Sequence, residues 1–143
     1  MSVVARSPDC DRNPASAGLD LMPDLPVVLR HESRSLSYVG LVDNGATIGV
    51  LPYALGVQLG RDWNSGKAGI ALGGTFAHLD ARGLVVEATL AKLPPVRLAL
   101  AWAESDQVPF LLGQFNFFQV FDVCFLRARK FFAVGQPGAM EFL

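Results

Sequence analysis

The stretch Val39-Gly40-Leu41-Val42-Asp43-Asn44-Gly45-Ala46-Thr47 decides how this 143-residue chain is read. It sets one carboxylate at the end of an apolar strand, places a glycine two residues later, and then lets a second strand begin. An aspartate in such a place is partly desolvated, and desolvation disfavours the charged form. Two of them side by side could not both ionise at neutral pH. One holds a proton while the other acts as base, and the two titrate as a pair. The base activates a water, and the acid protonates a carbonyl oxygen or a leaving amine. The same nine residues have a plainer reading. Asn-Gly between apolar runs is the strongest short hairpin signal, a type I′ turn. Local sequence leaves both readings open.

Working outward, Leu25-Pro26-Val27-Val28-Leu29 and residues 36–43 flank a polar stretch and predict a β-hairpin. Residues 47–51 are another short β-branched run. Residues 52–60 predict a short helix, opened by Pro52 and closed by Gly60 in the left-handed conformation, with Gly56 as a cost. Residues 61–69 read as a loop. Residues 70–72, 84–90 and 96–102 read as strands between glycine- and proline-marked turns. Many short strands at close spacing predict an all-β barrel or sandwich. Residues 1–20 are polar, small and proline-punctuated and read as a flexible tail; 136–143 read as a short tail, leaving one domain over 21–135.

Composition removes several classes of function. Hydrophobic residues make up 51% and charged residues 17%, which excludes a disordered chain. Twelve Lys and Arg against thirteen Asp and Glu leave a net charge of -1, and no basic field exists to hold a nucleic acid. The first residues do not read as a secretory signal. Residues 108–125, the densest apolar window, are broken by Gln114, Asn116, Gln119 and Asp122, so no membrane span is expected. Cys10 and Cys124 do not make a disulfide framework and fit a reducing cytoplasm. No phosphate loop, dinucleotide fingerprint or serine nucleophile elbow occurs. The only histidines are His31 and His78, so neither a metal nor a cofactor is expected. His31 reads as a solvated turn residue and Cys124 as a small buried apolar one. Eight of ten phenylalanines lie between Phe110 and Phe132, as a core plus a subunit interface would require.

Taken as a whole, Gly40-Leu41-Val42-Asp43-Asn44-Gly45-Ala46-Thr47-Ile48-Gly49-Val50-Leu51-Pro52 resembles the Asp-Thr/Ser-Gly-Ala motif of retropepsin-like aspartic proteases. There the motif is followed by an apolar strand and a short helix. Val108-Pro109-Phe110-Leu111-Leu112-Gly113-Gln114 is similar to their second signature, two apolar residues and a glycine before a short helix. Phe115-Asn116-Phe117-Phe118-Gln119-Val120-Phe121-Asp122-Val123 resembles the continuation in small bacterial members. The resemblance spans residues 25–134 and implies a closed acid-protease barrel with one or two short helices. It makes Asp43 the catalytic aspartate. Gly45 would let the backbone approach its partner, and Ala46 would continue the loop. Leu112 and Gly113 would pack behind that loop. Gly73, Gly74 and Thr75 lie where the family carries a mobile flap over the substrate. Two positions depart from the pattern. Asn44 replaces the Thr or Ser whose hydroxyl braces the two active-site loops across the dimer axis. Gln114 replaces an Arg, so the ion pair of that Arg is missing.

The chain holds a single Asp-x-Gly motif, so a dyad needs a second copy. The reading is a two-fold homodimer with the paired Asp43 residues on its axis. It would hydrolyse peptide bonds by activated water, with a peptide or protein substrate bound as an extended strand between protomers. The rivals are a catalytically weak or inactive pseudo-protease that binds peptides or proteins as a dimer, and a plain barrel with an ordinary Asn-Gly hairpin.

Overall fold

Alternation of buried and exposed side chains builds the first hairpin. In β2 (Asp24–His31), Leu25, Val27 and Leu29 are buried while Pro26, Val28 and Arg30 face out, the period of two that a half-buried strand requires. Its partner β3 (Arg34–Val42) runs back antiparallel, from His31↔Arg34 to Asp24↔Leu41. These elements belong to a computed structural model that describes residues 2–6, 23–65, 69–129 and 131–139. Residues 7–22 with Cys10, and residues 140–143, lie outside the described residues, so most of the two expected tails does too.

The remaining elements are β1 (Ser2–Arg6), β4 (Val50–Leu51), α1 (Tyr53–Gln58), β5 (Ala81–Thr89), β6 (Val96–Ala103), β7 (Leu111–Leu112), α2 (Phe117–Val120), β8 (Asp122–Leu126) and β9 (Phe131–Gly135). Six strands close a barrel in the order β2-β3-β7-β4-β6-β5, and β1-β9-β8 form a separate three-stranded sheet. The chain is thus all-β and barrel-forming, with two short helices, as expected.

Two apolar clusters follow from the same alternation. Val42 and its register partner Leu112 face the main core, with Leu25, Leu29, Leu51, Leu100, Trp102, Phe110, Phe117 and Phe132. Leu41 and its partner Leu111 face the other way, into a second cluster with Val50, Leu72, Ala101, Ala103 and Val108. Burying each large side chain contributes about 1.5–3 kcal/mol, so this layering fixes the register of the central strands. Phe110, Phe117, Phe121 and Phe132 fill the core, while Phe115 and Phe125 are 48% and 37% exposed.

The helix α1 forms where expected, and Gly60 closes it at φ +79°. Distant residues supply partners for its first amides: Tyr53 N–H donates to the Ser105 carbonyl at 3.1 Å and Ala54 N–H to Asp106 Oδ1 at 2.8 Å. Gly56 is more than a cost in helix propensity. A Cβ there would lie 2.2 Å from the indole of Trp102, so only glycine lets the helix lie on β6. Trp102 Nε1 donates to the Tyr53 carbonyl at 3.0 Å, and its ring stacks on Tyr53 and meets the edge of Trp63.

Four local expectations are corrected. Residues 47–51 shorten to the two-residue β4, with Ile48 bridged singly to Phe115. Residues 70–72 form no strand, because the pairing there stops at a bridge between Gly69 and Arg82. Residues 2–6, expected in the flexible tail, form a strand paired with β9 from Ser2↔Gly135 to Arg6↔Phe131. The backbone ladder supplied by β9 overrides the polar context. Cys124 is half-buried rather than buried, since β8 is an edge strand of its sheet.

Candidate active site

The loop that carries Asp43 is positioned by β7, a strand distant along the chain but next to β3 in the barrel. Leu41 N–H donates to the Phe110 carbonyl at 2.8 Å and Asp43 N–H to the Leu112 carbonyl at 3.0 Å. The parallel ladder between β3 and β7 therefore carries through the aspartate. On the other side of the loop, β4 pairs with β6 and β7 and not with β3. Asn44-Gly45 consequently turns no hairpin; β7 is inserted between the two strands, and the loop crosses it.

Hydrogen bonds fasten this loop to the residues just after β7. Gln114 N–H donates to the Ala46 carbonyl at 2.9 Å, Phe115 N–H to the Thr47 carbonyl at 2.9 Å, and Gly49 N–H to the Phe115 carbonyl at 3.1 Å. Gln114 Nε2 reaches the Asn44 carbonyl at 2.6 Å. Within the loop, Ala46 N–H donates to the Asp43 carbonyl at 3.2 Å and Gly45 N–H to Asp43 Oδ1 at 2.9 Å, the side-chain turn that aspartate favours. Gly113 makes the close approach possible. A Cβ on it would sit 2.7 Å from the carbonyl carbon of Ile48 and 2.9 Å from the carbonyl oxygens of Ala46 and Ile48. Leu112, fully buried, anchors the same strand in the core.

Strand alternation puts Asp43 on the face of β3 that carries Leu41, the side of the second cluster. Asp43 is half-buried, while Asn44 and Gly45 are exposed. Ala46 and Ile48 pack against that cluster, as do Ile70, Phe76 and Leu79. Gly73, Gly74 and Thr75 form the exposed tip of this last segment. The tip is a 3₁₀ turn over Gly74–Phe76 rather than a β-hairpin. Its base is closed by the Ile70 N–H, which donates to the Ala81 carbonyl at 2.8 Å. The outward face of β3 continues into an open groove lined by Val39, Leu41, Pro109 and Phe110.

Two side chains matter here that sequence reading gave no such role. Gln114 stood out only for not being an arginine, yet its amide holds the Asn44 carbonyl. Asn116 registered only as an interruption of an apolar run. Its Oδ1 accepts from Ala99 N–H at 2.9 Å and its Nδ2 donates to the Arg97 carbonyl at 3.2 Å, so one side-chain amide completes the edge of β6. Among the described residues, no group of three His, Cys, Asp or Glu could hold a metal ion, and no helix is long and apolar enough to cross a membrane.

No protein-family model and no curated protein matches the chain. Solved structures do. A retropepsin-like aspartic protease from Rickettsia conorii superposes with a TM-score of 0.65 at 12% identity, over 94% of this chain and 89% of that one. EIAV protease, solved in complex with the inhibitor HBY-793, superposes with a TM-score of 0.50 at 22% identity, over 67% of this chain and 85% of that one. The fold is that of the retropepsin-like aspartic proteases.

Proposed function

We propose that the chain is an aspartic-type endopeptidase that works as a homodimer, each protomer contributing Asp43 to a shared dyad. One observation carries the reading. Within a retropepsin-like fold, the one Asp-x-Gly loop is delivered by the β3–β7 ladder, with the Gly45 amide on the Asp43 carboxylate. Two carboxylates in contact share a proton. The ionised one takes a proton from water as it attacks the peptide carbonyl, and the other protonates the carbonyl oxygen. The pair then delivers a proton to the leaving amine. Gly45 keeps one carboxylate oxygen oriented, and Leu112 and Gly113 support the loop. The groove along Val39 and Leu41 offers apolar contacts to an extended peptide, and the tip at Gly73, Gly74 and Thr75 is the flap over it. The half-buried free thiol of Cys124 fits a reducing cytoplasm.

The test is turnover of a peptide library from acid to neutral pH, with the assembly mass measured at tens of micromolar. We expect a dimer near twice 15.4 kDa, and no turnover by Asp43→Asn despite an unchanged fold. A strictly monomeric protein, or an Asp43→Asn variant as active as wild type, sinks the dyad. Asn44, standing where the family pattern has Thr or Ser, favours one rival, a pseudo-protease; a dimer that binds library peptides without cleaving any would establish it.

A further inference from the structure

We propose that Gln114 is a positioning residue for Asp43, acting through the Asn44–Gly45 peptide group. Its catalytic consequence rests on the endopeptidase reading above, whereas its geometry rests on hydrogen bonds alone. A single peptide plane carries both contacts. Gln114 Nε2 donates to the Asn44 carbonyl oxygen at 2.6 Å, and the N–H of that same peptide, at Gly45, donates to Asp43 Oδ1 at 2.9 Å. In a planar trans peptide the C=O and N–H point in opposite directions. Fixing the carbonyl on Gln114 therefore aims the amide at the carboxylate. A donor on the carbonyl also polarises the amide, and hydrogen bonds in series reinforce one another.

Packing does not hold this peptide. Asn44 and Gly45 are exposed, and a Cβ on Gly45 would meet only Asp43 Oδ1, at 3.2 Å. Glycine on one side of a peptide also makes rotation of the whole plane easy. Rotated by half a turn, the plane would present the Asn44 carbonyl oxygen to the carboxylate and remove its donor. Gln114 opposes that rotation, and its own place is set by its backbone, whose N–H is held on the Ala46 carbonyl at 2.9 Å.

The experiment uses the full chain, isotopically labelled, as wild type and as Gln114→Met, Gln114→Glu and Gln114→Lys. Methionine matches the length without a donor, glutamate removes the donor and repels the carbonyl, and lysine restores a donor. The Gly45 amide proton resonance should move upfield and exchange faster in the Met and Glu variants and stay near its wild-type position in the Lys variant. The Ala99 amide, held by Asn116, should not move in any of them and so reports an intact fold. In turnover, the Met variant should lose about fivefold in kcat, the effect of one hydrogen bond, with KM unchanged. Lysine should recover most of that loss. A Gly45 resonance that does not respond to either donor-free variant overturns the proposal, as does a Lys variant as impaired as the Met one. Wild-type protein that cleaves nothing would strike the endopeptidase reading instead, and the Gly45 resonance would still decide the role of Gln114.

Discussion

Replacing Gly113 by alanine tests the geometry of the loop more directly than any change at Asp43. The added Cβ would stand 2.7 Å from the Ile48 carbonyl carbon, where ordinary contact begins at 3.4 Å, so the backbone must separate by about 0.7 Å. The obstructing atoms are main chain, so no side-chain rotation relieves them. Overpacking of this kind costs about 1–3 kcal/mol, offset by about 0.4–1 kcal/mol from the smaller entropy of an unfolded chain without that glycine. The net loss is then on the order of 1–2 kcal/mol, or roughly 3–8 °C in Tm for a chain of this length. The same displacement would stretch the 2.9 Å bond between Gln114 N–H and the Ala46 carbonyl towards breaking. A reacting group misplaced by about 1 Å costs on the order of a hundredfold in rate, so turnover should fall far more than stability. Urea unfolding and peptide turnover of Gly113→Ala, beside Gly69→Ala as control, are the assays. A Cβ at Gly69 meets only the Ala81 carbonyl oxygen, at an ordinary 3.7 Å, so that control should unfold within about 0.5 kcal/mol of wild type. A Gly113→Ala protein as stable and as active as the control would refute the argument that this glycine lets the two segments touch.

Asn44 is exposed in the single protomer; at the proposed dimer axis its amide would be buried, where an unpaired donor costs about 1–3 kcal/mol, so Asn44→Thr, with its smaller hydroxyl, should raise turnover and tighten the dimer. Turnover and dimer dissociation measured for both forms decide it, and a threonine variant neither faster nor tighter makes asparagine an accepted equivalent. Asn116→Ala takes away the partners of Ala99 N–H and the Arg97 carbonyl. It should lower the urea midpoint by the equivalent of about 1–3 kcal/mol with the slope unchanged. Asn116→Asp keeps the acceptor and should lose less; equal losses would show that the amide bond to Ala99 is not what matters.

What was legible in the sequence is what local pattern controls. The apolar run Leu25-Pro26-Val27-Val28-Leu29 marks β2, and Pro52 and Gly60 bracket α1. What was not legible depends on partners far along the chain. Leu111 and Leu112 are too short a run to carry a period, yet they separate β3 from β4 and turn an apparent hairpin into a crossing loop. Gly56 looks like a flaw in a helix until Trp102 is laid against it. Gln114, Asn116 and Asp122 look like breaks in an apolar window. Each serves a backbone group outside its own segment: the carbonyl of Asn44, the amide of Ala99 and the amide of Gly138. A polar residue inside an apolar run shows that some buried or shared backbone needs a partner, without saying which.

The strand at residues 2–6 has a consequence for how the protein is made. It lies against residues 131–135, so two segments at opposite ends of the described chain share one ladder. Translation delivers β1 first and β9 more than a hundred residues later. Closing so long a loop from a flexible chain costs about 4 kcal/mol, a cost that falls once the barrel has drawn the ends together. Phe132 and Val134 of β9 are buried in the main core, so the strand that completes the small sheet also seals the large one. Until it leaves the ribosome, the Val3-Val4-Ala5 run has no native neighbour, and an unpaired strand edge invites foreign ones. A nascent chain stalled before Phe131 would be where association with other chains starts.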